Sequence, residues 1–445
     1  MEIKAIKEHI DQSQMRRYQW MIVGICICLN IIDGFDVLVM AFTASAVAKD
    51  WGLTGSQIGL LLSSGLFGMG AGSLLIAPWA DKIGRKPIIL MSLIVTSIGM
   101  ILSAFAPSTL VLGILRFITG LGIGGILACS NVLTSEYSSA KWRSLAISLQ
   151  STGYAIGAAG GGLIAMYLIK DHGWQSVFLF GGVVSAVFIV VVALLLPESL
   201  DYLLVKQPQN ALPKVQKLAQ KLSLPHLQSL PAKPAQQAAS KSSFKSLFAD
   251  GKAESTLCIW IAFFCVMFGF YCILSWTPKL LTGAGMTPEQ GITTGVWMNF
   301  GSMFGAALIG FLGTKFNIKS VHAVFLFLTA ILTITFAQSI TYLSLAMVVA
   351  FFLGTLANGT VAGLYAITPT LYDTNNRASG VGTAISVGRL GSIVSPLIAG
   401  VLLDANWAPV SLFYLNSVVF IVAIFAVLKL RKLQFARQSQ QLQKV

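Results

Sequence analysis

The sequence predicts an all-α membrane protein, twelve transmembrane helices in two six-helix bundles with both termini in the cytoplasm. Three observations predict it. The 445 residues are 55% hydrophobic and only 10% charged, with a mean hydropathy of +0.78, a balance that excludes an ordinary soluble enzyme. The apolar residues gather into twelve runs of about twenty or more, the length a helix needs to cross hydrocarbon. Of the 30 Lys and Arg, 25 fall in the termini and even-numbered loops, counting Lys429 at the edge of the last run with the C-terminus, three (Lys49, Lys170, Lys279) in odd-numbered loops, and two (Arg116, Arg389) well within spans. Positive residues stay on the cytoplasmic side, which puts both termini there.

The runs lie at 18–48, 55–79, 87–106, 109–131, 144–169, 174–196, 255–278, 290–313, 320–338, 341–369, 379–403 and 409–429. The first is too long for a signal-peptide core, lacks a small-residue cleavage site and carries two acids, so it reads as a span. Residues 1–17 form a cytoplasmic segment, 18–199 the first bundle, 200–252 a cytoplasmic linker, 253–430 the second bundle and 431–445 a tail. The linker is rich in Lys, Gln, Ser and Pro. Its lysines have two readings, a solvated charge run obeying the topology rule or a contact with anionic lipid headgroups. The net charge of +14 follows from topology and calls for no nucleic-acid partner.

All six cysteines (Cys26, Cys28, Cys129, Cys258, Cys265, Cys272) sit in apolar runs. They read as small hydrophobes, with no disulfide and no metal site. The halves echo each other. The run Ala77-Pro78-Trp79-Ala80-Asp81-Lys82-Ile83-Gly84-Arg85-Lys86 after span two has a degraded copy, Gly310 to Lys319, after span eight. Two six-span repeats with a binding site between them are the architecture of a secondary transporter.

At the level of motif the chain resembles the major facilitator superfamily over essentially its whole length. Asp81-Lys82-Ile83-Gly84-Arg85-Lys86 is similar to that superfamily's signature between spans two and three, with Ala77 where a leading Gly is usual. Arg116 with Gly120, Gly122, Gly124 and Gly125 resembles its span-four motif, and Pro197-Glu198-Ser199 closes span six as in many members. Asp33-Gly34-Phe35-Asp36 in span one and Gly388-Arg389-Leu390-Gly391 in span eleven resemble the aromatic acid:proton symporters. The resemblance implies import of benzoate-like, hydroxybenzoate-like or muconate-like carboxylates. Sugar porters are less similar, because Leu200-Asp201 follows Pro197-Glu198-Ser199 where they carry a basic continuation.

Four ionisable side chains lie well inside spans, Asp33, Asp36, Arg116 and Arg389. Each charge at hydrocarbon depth costs on the order of 3 kcal/mol to insert, so such residues line polar cavities and handle ions or solute. Arg389 lies about eleven residues into span eleven, roughly 17 Å deep at 1.5 Å per residue, near the bilayer midplane. Its planar fork matches a carboxylate. It either clamps the substrate carboxylate or pairs internally with an aspartate. Asp33 and Asp36 share one helix face, and Arg116 reaches the same depth from the outer end of span four. A pair between Arg116 and either aspartate is expected, to be made and broken during transport as a proton-coupling switch or to stand as a permanent brace. His9 and His226 are cytoplasmic, His172 lies in an outer loop and His322 at a span end, so no histidine is placed as a central relay.

Asp81, Arg85 and Lys86, with Glu136 and Arg143 after span four and Asp373 and Arg377 after span ten, are expected to form ion pairs that close an inner gate. Tyr154, Trp297, Tyr365 and Asn299 occur in mid-span and offer stacking or hydrogen bonds to a flat acid, with helix packing as the alternative for each. No Walker loop, metal-ligand cluster or nucleophile triad occurs, so no cofactor and no enzymatic step are expected. The expectation is a monomeric, multi-pass protein of a bacterial inner membrane whose partners are protons, the bilayer and a small organic carboxylate. It would import the acid by proton symport and alternating access. An exporter, an uncoupled facilitator and a non-transporting acid sensor are the alternatives.

Overall fold

The computed structural model describes residues 3–222, 229–231, 247–248, 253–372 and 376–430. His226, Asp373, much of the linker and the 431–445 tail lie outside the described residues. Helices run in the order α1 (Ile3–Gln12), α2 (Arg17–Trp51), α3 (Gly55–Leu75), α4 (Ala80–Ile83), α5 (Arg85–Ser103), α6 (Thr109–Tyr137), α7 (Ala140–His172) and α8 (Gln175–Leu195). They continue with α9 (Leu200–Val205), α10 (Ala211–Leu222), α11 (Ala253–Gly283), α12 (Pro288–Lys315), α13 (Ile318–Ser339), α14 (Leu343–Ile367), α15 (Arg377–Asp404) and α16 (Pro409–Lys429). Among the described residues, 12 helices are long and apolar enough to cross a membrane, matching the twelve apolar runs one for one.

Helix ends follow local chemistry more than hydropathy. Ser108 caps α6 by accepting from the Val111 N–H, and Thr287 with Gln290 forms a capping box at α12 with Pro288 in the first turn. The fifth span starts at Ala140 because Ala140-Lys141-Trp142-Arg143 extend the helix past the apolar run that begins at 144. The sequence between the bundles is partly helical. α9 and α10 lie within its first 23 residues, 200–222, and Pro213 is tolerated because it falls in the first turn of α10.

The chain forms two compact units, residues 1–46 with 64–239 and residues 47–63 with 240–445. In the first, Gly120 and Gly124 of α6 press against the backbone of Gly65 to Ser73 in α3, with no room for a Cβ. In the second, Gly301 and Gly305 of α12 meet the backbone of Phe351 and Thr355 in α14 in the same way. Lipid supplies no hydrophobic force between helices, so van der Waals contact between backbones is what these glycines provide. The six cysteines are all free thiols.

Candidate functional site

The polar centre of the first unit is built on α2, α6 and α7. Its key glycine is Gly34, whose missing side chain lets α2 lie directly on the Tyr154 backbone of α7. Asp33 and Asp36 flank that contact, each 1% exposed. Arg116 reaches across from α6. Its Nη1 donates to Asp36 Oδ1 at 2.7 Å, its Nη2 donates to the Asp36 carbonyl at 2.7 Å, and Nη1 also meets Met100 Sδ at 3.1 Å. The guanidinium stands 5.8 Å from the Phe178 ring centroid, a cation–π contact. Arg116 is therefore held on several sides, and its partner is Asp36. Neither carboxylate oxygen of Asp33 has a hydrogen-bond partner among the described residues, nor has Asp36 Oδ2.

One turn below Asp33 lies a neutral polar cluster that a search for charged residues passes over. Gln150 Nε2 donates to Ser130 Oγ at 3.0 Å, and Asn30 Nδ2 approaches the same oxygen at 3.5 Å and donates to the Cys26 carbonyl at 3.1 Å. All three side chains are buried, and Gln150 Oε1 has no partner among the described residues. The polar column along α2 thus extends from Asp36 through Asp33 to Asn30. Its signal in the sequence is a buried amide at i−3 from an aspartate, a spacing that shares a helix face.

In the second unit the expected residues separate into two places. Arg389 on α15 is half-buried and close enough to Tyr365 on α14 for its charge to act on the phenol. Tyr365 is 38% exposed and stacks edge-on against Phe263, centroids 5.6 Å apart at 87°. A cation beside a partly exposed phenol is a suitable cradle for a flat anion. Trp297 instead joins an exposed aromatic row on α12 with Phe300 and Phe304 and lies against Phe351. Asn299 is buried and donates to the Gly295 carbonyl of its own helix at 2.9 Å. His322, read as lying at a span end, is the fifth residue of α13, fully buried, with Nε2 2.8 Å from the Thr360 carbonyl.

Most of the predicted gating residues converge in the first unit, around a residue to which the sequence reading gave no such role. Arg85 Nη2 lies 2.8 Å from Asp81 Oδ1, and its Nε lies 4.0 Å from Glu136 Oε1. Glu198 is the hub. Its Oε1 accepts the N–H groups of Arg85, Lys86 and Ser199 at 2.8, 3.2 and 2.8 Å, so one carboxylate caps the N-terminus of α5. Gly84, at φ 107°, turns the chain into that cap and leaves no space beside Glu198 for a side chain. Ser199 Oγ donates to Glu136 Oε2 at 2.6 Å, tying the hub to α6. Lys86 Nζ donates to the Ala193 carbonyl at 2.7 Å, and Arg143 pairs with Asp11 on α1. Arg377 is exposed at the start of α15. Replacing Glu198 by Ala is expected to strip the cap and lower stability by about 1–2 kcal/mol, while Glu198→Gln retains an acceptor and loses about 0.3–1 kcal/mol. Thermal melts of the two variants in detergent check the order.

A second acid outside the expected set caps a helix in the other unit. Asp404, at the end of α15, accepts from Gly55 N–H at 2.6 Å and Ser56 N–H at 2.9 Å, bridging α15 to the start of α3. Ser63 Oγ continues that seam by donating to the Ile393 carbonyl at 2.7 Å.

Known proteins share this architecture. The profile of the Major Facilitator Superfamily matches residues 25–361 and 288–444. The 4-hydroxybenzoate transporter PcaK of Acinetobacter baylyi is 31% identical over 404 residues, covering 90% of this chain and 88% of that protein. The gallate transporter of Pseudomonas putida is 30% identical over 425 residues, covering 95% and 94%. Among solved structures, the inward-open xylose transporter XylE of E. coli matches with a TM-score of 0.73 at 15% identity, over 94% of this chain and 97% of that one, a likeness of fold alone. Twelve helices long and apolar enough to cross a membrane among the described residues, the signature loop at its expected junction and a match spanning nearly the whole sequence lead to one conclusion, that this chain belongs to the Major Facilitator Superfamily and is a multi-pass cell-membrane transporter.

Proposed function

We propose that this protein is a proton-coupled importer of a small aromatic carboxylate, or of an aromatic-breakdown acid such as muconate, working by alternating access with both termini in the cytoplasm. The observation that carries the substrate class is its similarity, over at least nine-tenths of the chain, to transporters of 4-hydroxybenzoate and gallate. Both names denote a benzoate ring bearing hydroxyl groups, and an Arg389 guanidinium beside Tyr365, itself backed by Phe263, suits such a ring and its carboxylate. Tyr154 and Asn299 serve as secondary substrate contacts, and Trp297 as a peripheral one.

Coupling falls to the aspartates. Asp36 and Arg116 neutralise each other, so Asp36 fixes α2 to α6. Asp33, buried without a hydrogen-bond partner among the described residues, is the carboxyl that a proton best neutralises. Asp33 then carries the coupled proton, and Asp81, Arg85, Lys86, Glu136, Arg143, Asp373 and Arg377 set the balance between conformations, the protein acting as a monomer.

Uptake of labelled 4-hydroxybenzoate into proteoliposomes tests the reading. Accumulation driven by an acidic exterior and abolished by a protonophore is the expected result. Equilibration without accumulation would indicate a facilitator, and binding without uptake a sensor. Arg389→Lys replaces a planar fork by a point charge, and substrate affinity is expected to fall about 10- to 100-fold, or roughly 1.4–2.8 kcal/mol. Unchanged affinity across benzoate, hydroxybenzoates and muconate would remove Arg389 from the site.

A further inference from the structure

A cavity of about 490 Å3 opens beside α10, where the C-terminal end of α8 and the N-terminal end of α5 come together. Its lining has two chemistries. The apolar part includes Leu90, Leu194, Leu195 and Leu218, of which Leu194 and Leu195 are 76% and 47% exposed at the last turn of a span. The polar part includes Lys86, Lys214, Lys217 and Lys221. Three of these belong to α10, which buries Val215, Leu218, Ala219 and Leu222 on one side and exposes Lys214, Lys217 and Lys221 on the other. Lys221 Nζ lies 4.5 Å from the ring centroid of Tyr18, which also lines the cavity. The acid in the lining is Glu198, and its Oε1 already accepts three backbone N–H groups. The field in the cavity is therefore cationic.

A solvated charge run accounts for lysines on an exposed helix face. It does not account for leucine walls behind them. A soluble anion has no use for those walls, and an apolar solute has no use for the lysines. A lipid with an anionic headgroup uses both. The position agrees, because the ends of two spans mark the level where hydrocarbon gives way to headgroups. The volume agrees as well, since pockets for small molecules run about 300–1,000 Å3, enough for a headgroup and the upper part of a chain.

We propose that this cavity binds one anionic glycerophospholipid, its phosphate held among Lys214, Lys217 and Lys221 and its acyl chain leaving along Leu194 and Leu195. The lipid fastens α10 to the bilayer surface and lies against Lys86 of the signature loop, so the site touches the gating cluster.

Native mass spectrometry of the full chain in detergent, titrated with phosphatidylglycerol and with phosphatidylcholine of the same acyl chains, tests it. Wild-type protein is expected to retain phosphatidylglycerol preferentially. Lys214→Gln alone should weaken that binding roughly fivefold, and the triple variant with Lys217→Gln and Lys221→Gln should erase the preference. These side chains lie on the exposed face of α10, so folding is preserved, and an unchanged thermal midpoint verifies it. A charge-matched triple at Lys49, Lys141 and Lys170, none of which lines the cavity, should retain the preference. Equal retention of the two lipids, a triple variant that still prefers phosphatidylglycerol, a control triple that loses the preference equally, or displacement of the lipid by millimolar inorganic phosphate would each overturn the proposal.

Discussion

Arg116→Ala is expected to destabilise the protein by about 3–5 kcal/mol and to abolish uptake, because it strands the Asp36 carboxylate in a site that is 1% exposed. The loss goes beyond one ion pair. Nη1 and Nη2 donate to the side chain and to the carbonyl of Asp36, Nη1 reaches Met100, and the guanidinium faces Phe178. Removing them leaves acceptors in a dry interior with nothing to replace water. A double variant, Asp36→Asn with Arg116→Met, removes both charges and is expected to recover most of the thermal midpoint, since a neutral pair of similar volume avoids the desolvation penalty. Recovered stability with uptake still absent would mean that the pair takes part in the transport cycle. Recovered stability with full uptake would reduce it to a brace between α2 and α6.

That pair also marks how far the sequence could be read. Matching depths along span one and span four were enough to join them, because a helix advances 1.5 Å per residue and the bilayer supplies a common ruler. Choosing between Asp33 and Asp36 was not possible. Three residues apart, they share a face, and α2 is apolar nearly all round, so no periodicity sets its rotation about its own axis. The rotation comes from Gly34 seating on the Tyr154 backbone, a contact between residues 120 positions apart.

Glu198 was hidden for a related reason. Asp81, Arg85 and Lys86 sit together in one loop and announce themselves, whereas the carboxylate that caps their helix returns from the far end of α8, more than a hundred residues on. Pro197-Glu198-Ser199 was legible as the close of a span, and its electrostatic role was not, because that role exists only once α8 lies beside α5. Asn30, Ser130 and Gln150 were missed because their cost of insertion is small next to that of a charge. The helix in the linker was masked by the prolines around it, although Val215, Leu218, Ala219 and Leu222 carry a helical apolar period. Twelve spans needed none of this, since a long apolar run in a membrane has only the helix open to it.

Asp33→Asn is expected to leave the fold intact and to abolish accumulation against a gradient. The amide is nearly isosteric with the carboxyl and adds no charge to a site with no hydrogen-bond partner among the described residues, so the thermal midpoint should stay close to wild type. What disappears is the one proton-accepting group in that part of α2 without a countercharge. An importer that must load a proton at Asp33 can then exchange substrate for substrate but not concentrate it. Counterflow of labelled 4-hydroxybenzoate should persist and lose its dependence on pH, while uptake driven by an acidic exterior falls to the level of empty vesicles. Asp36→Asn gives the opposite pattern, a lowered thermal midpoint from an uncompensated Arg116, with coupling lost only as the fold weakens. The two neighbouring aspartates are thus separated by two measurements, stability for Asp36 and proton-driven accumulation for Asp33. If Asp33→Asn still concentrates substrate under a proton gradient, the proton travels elsewhere, and the partly unpaired Asp36 oxygen becomes the next carboxyl to test.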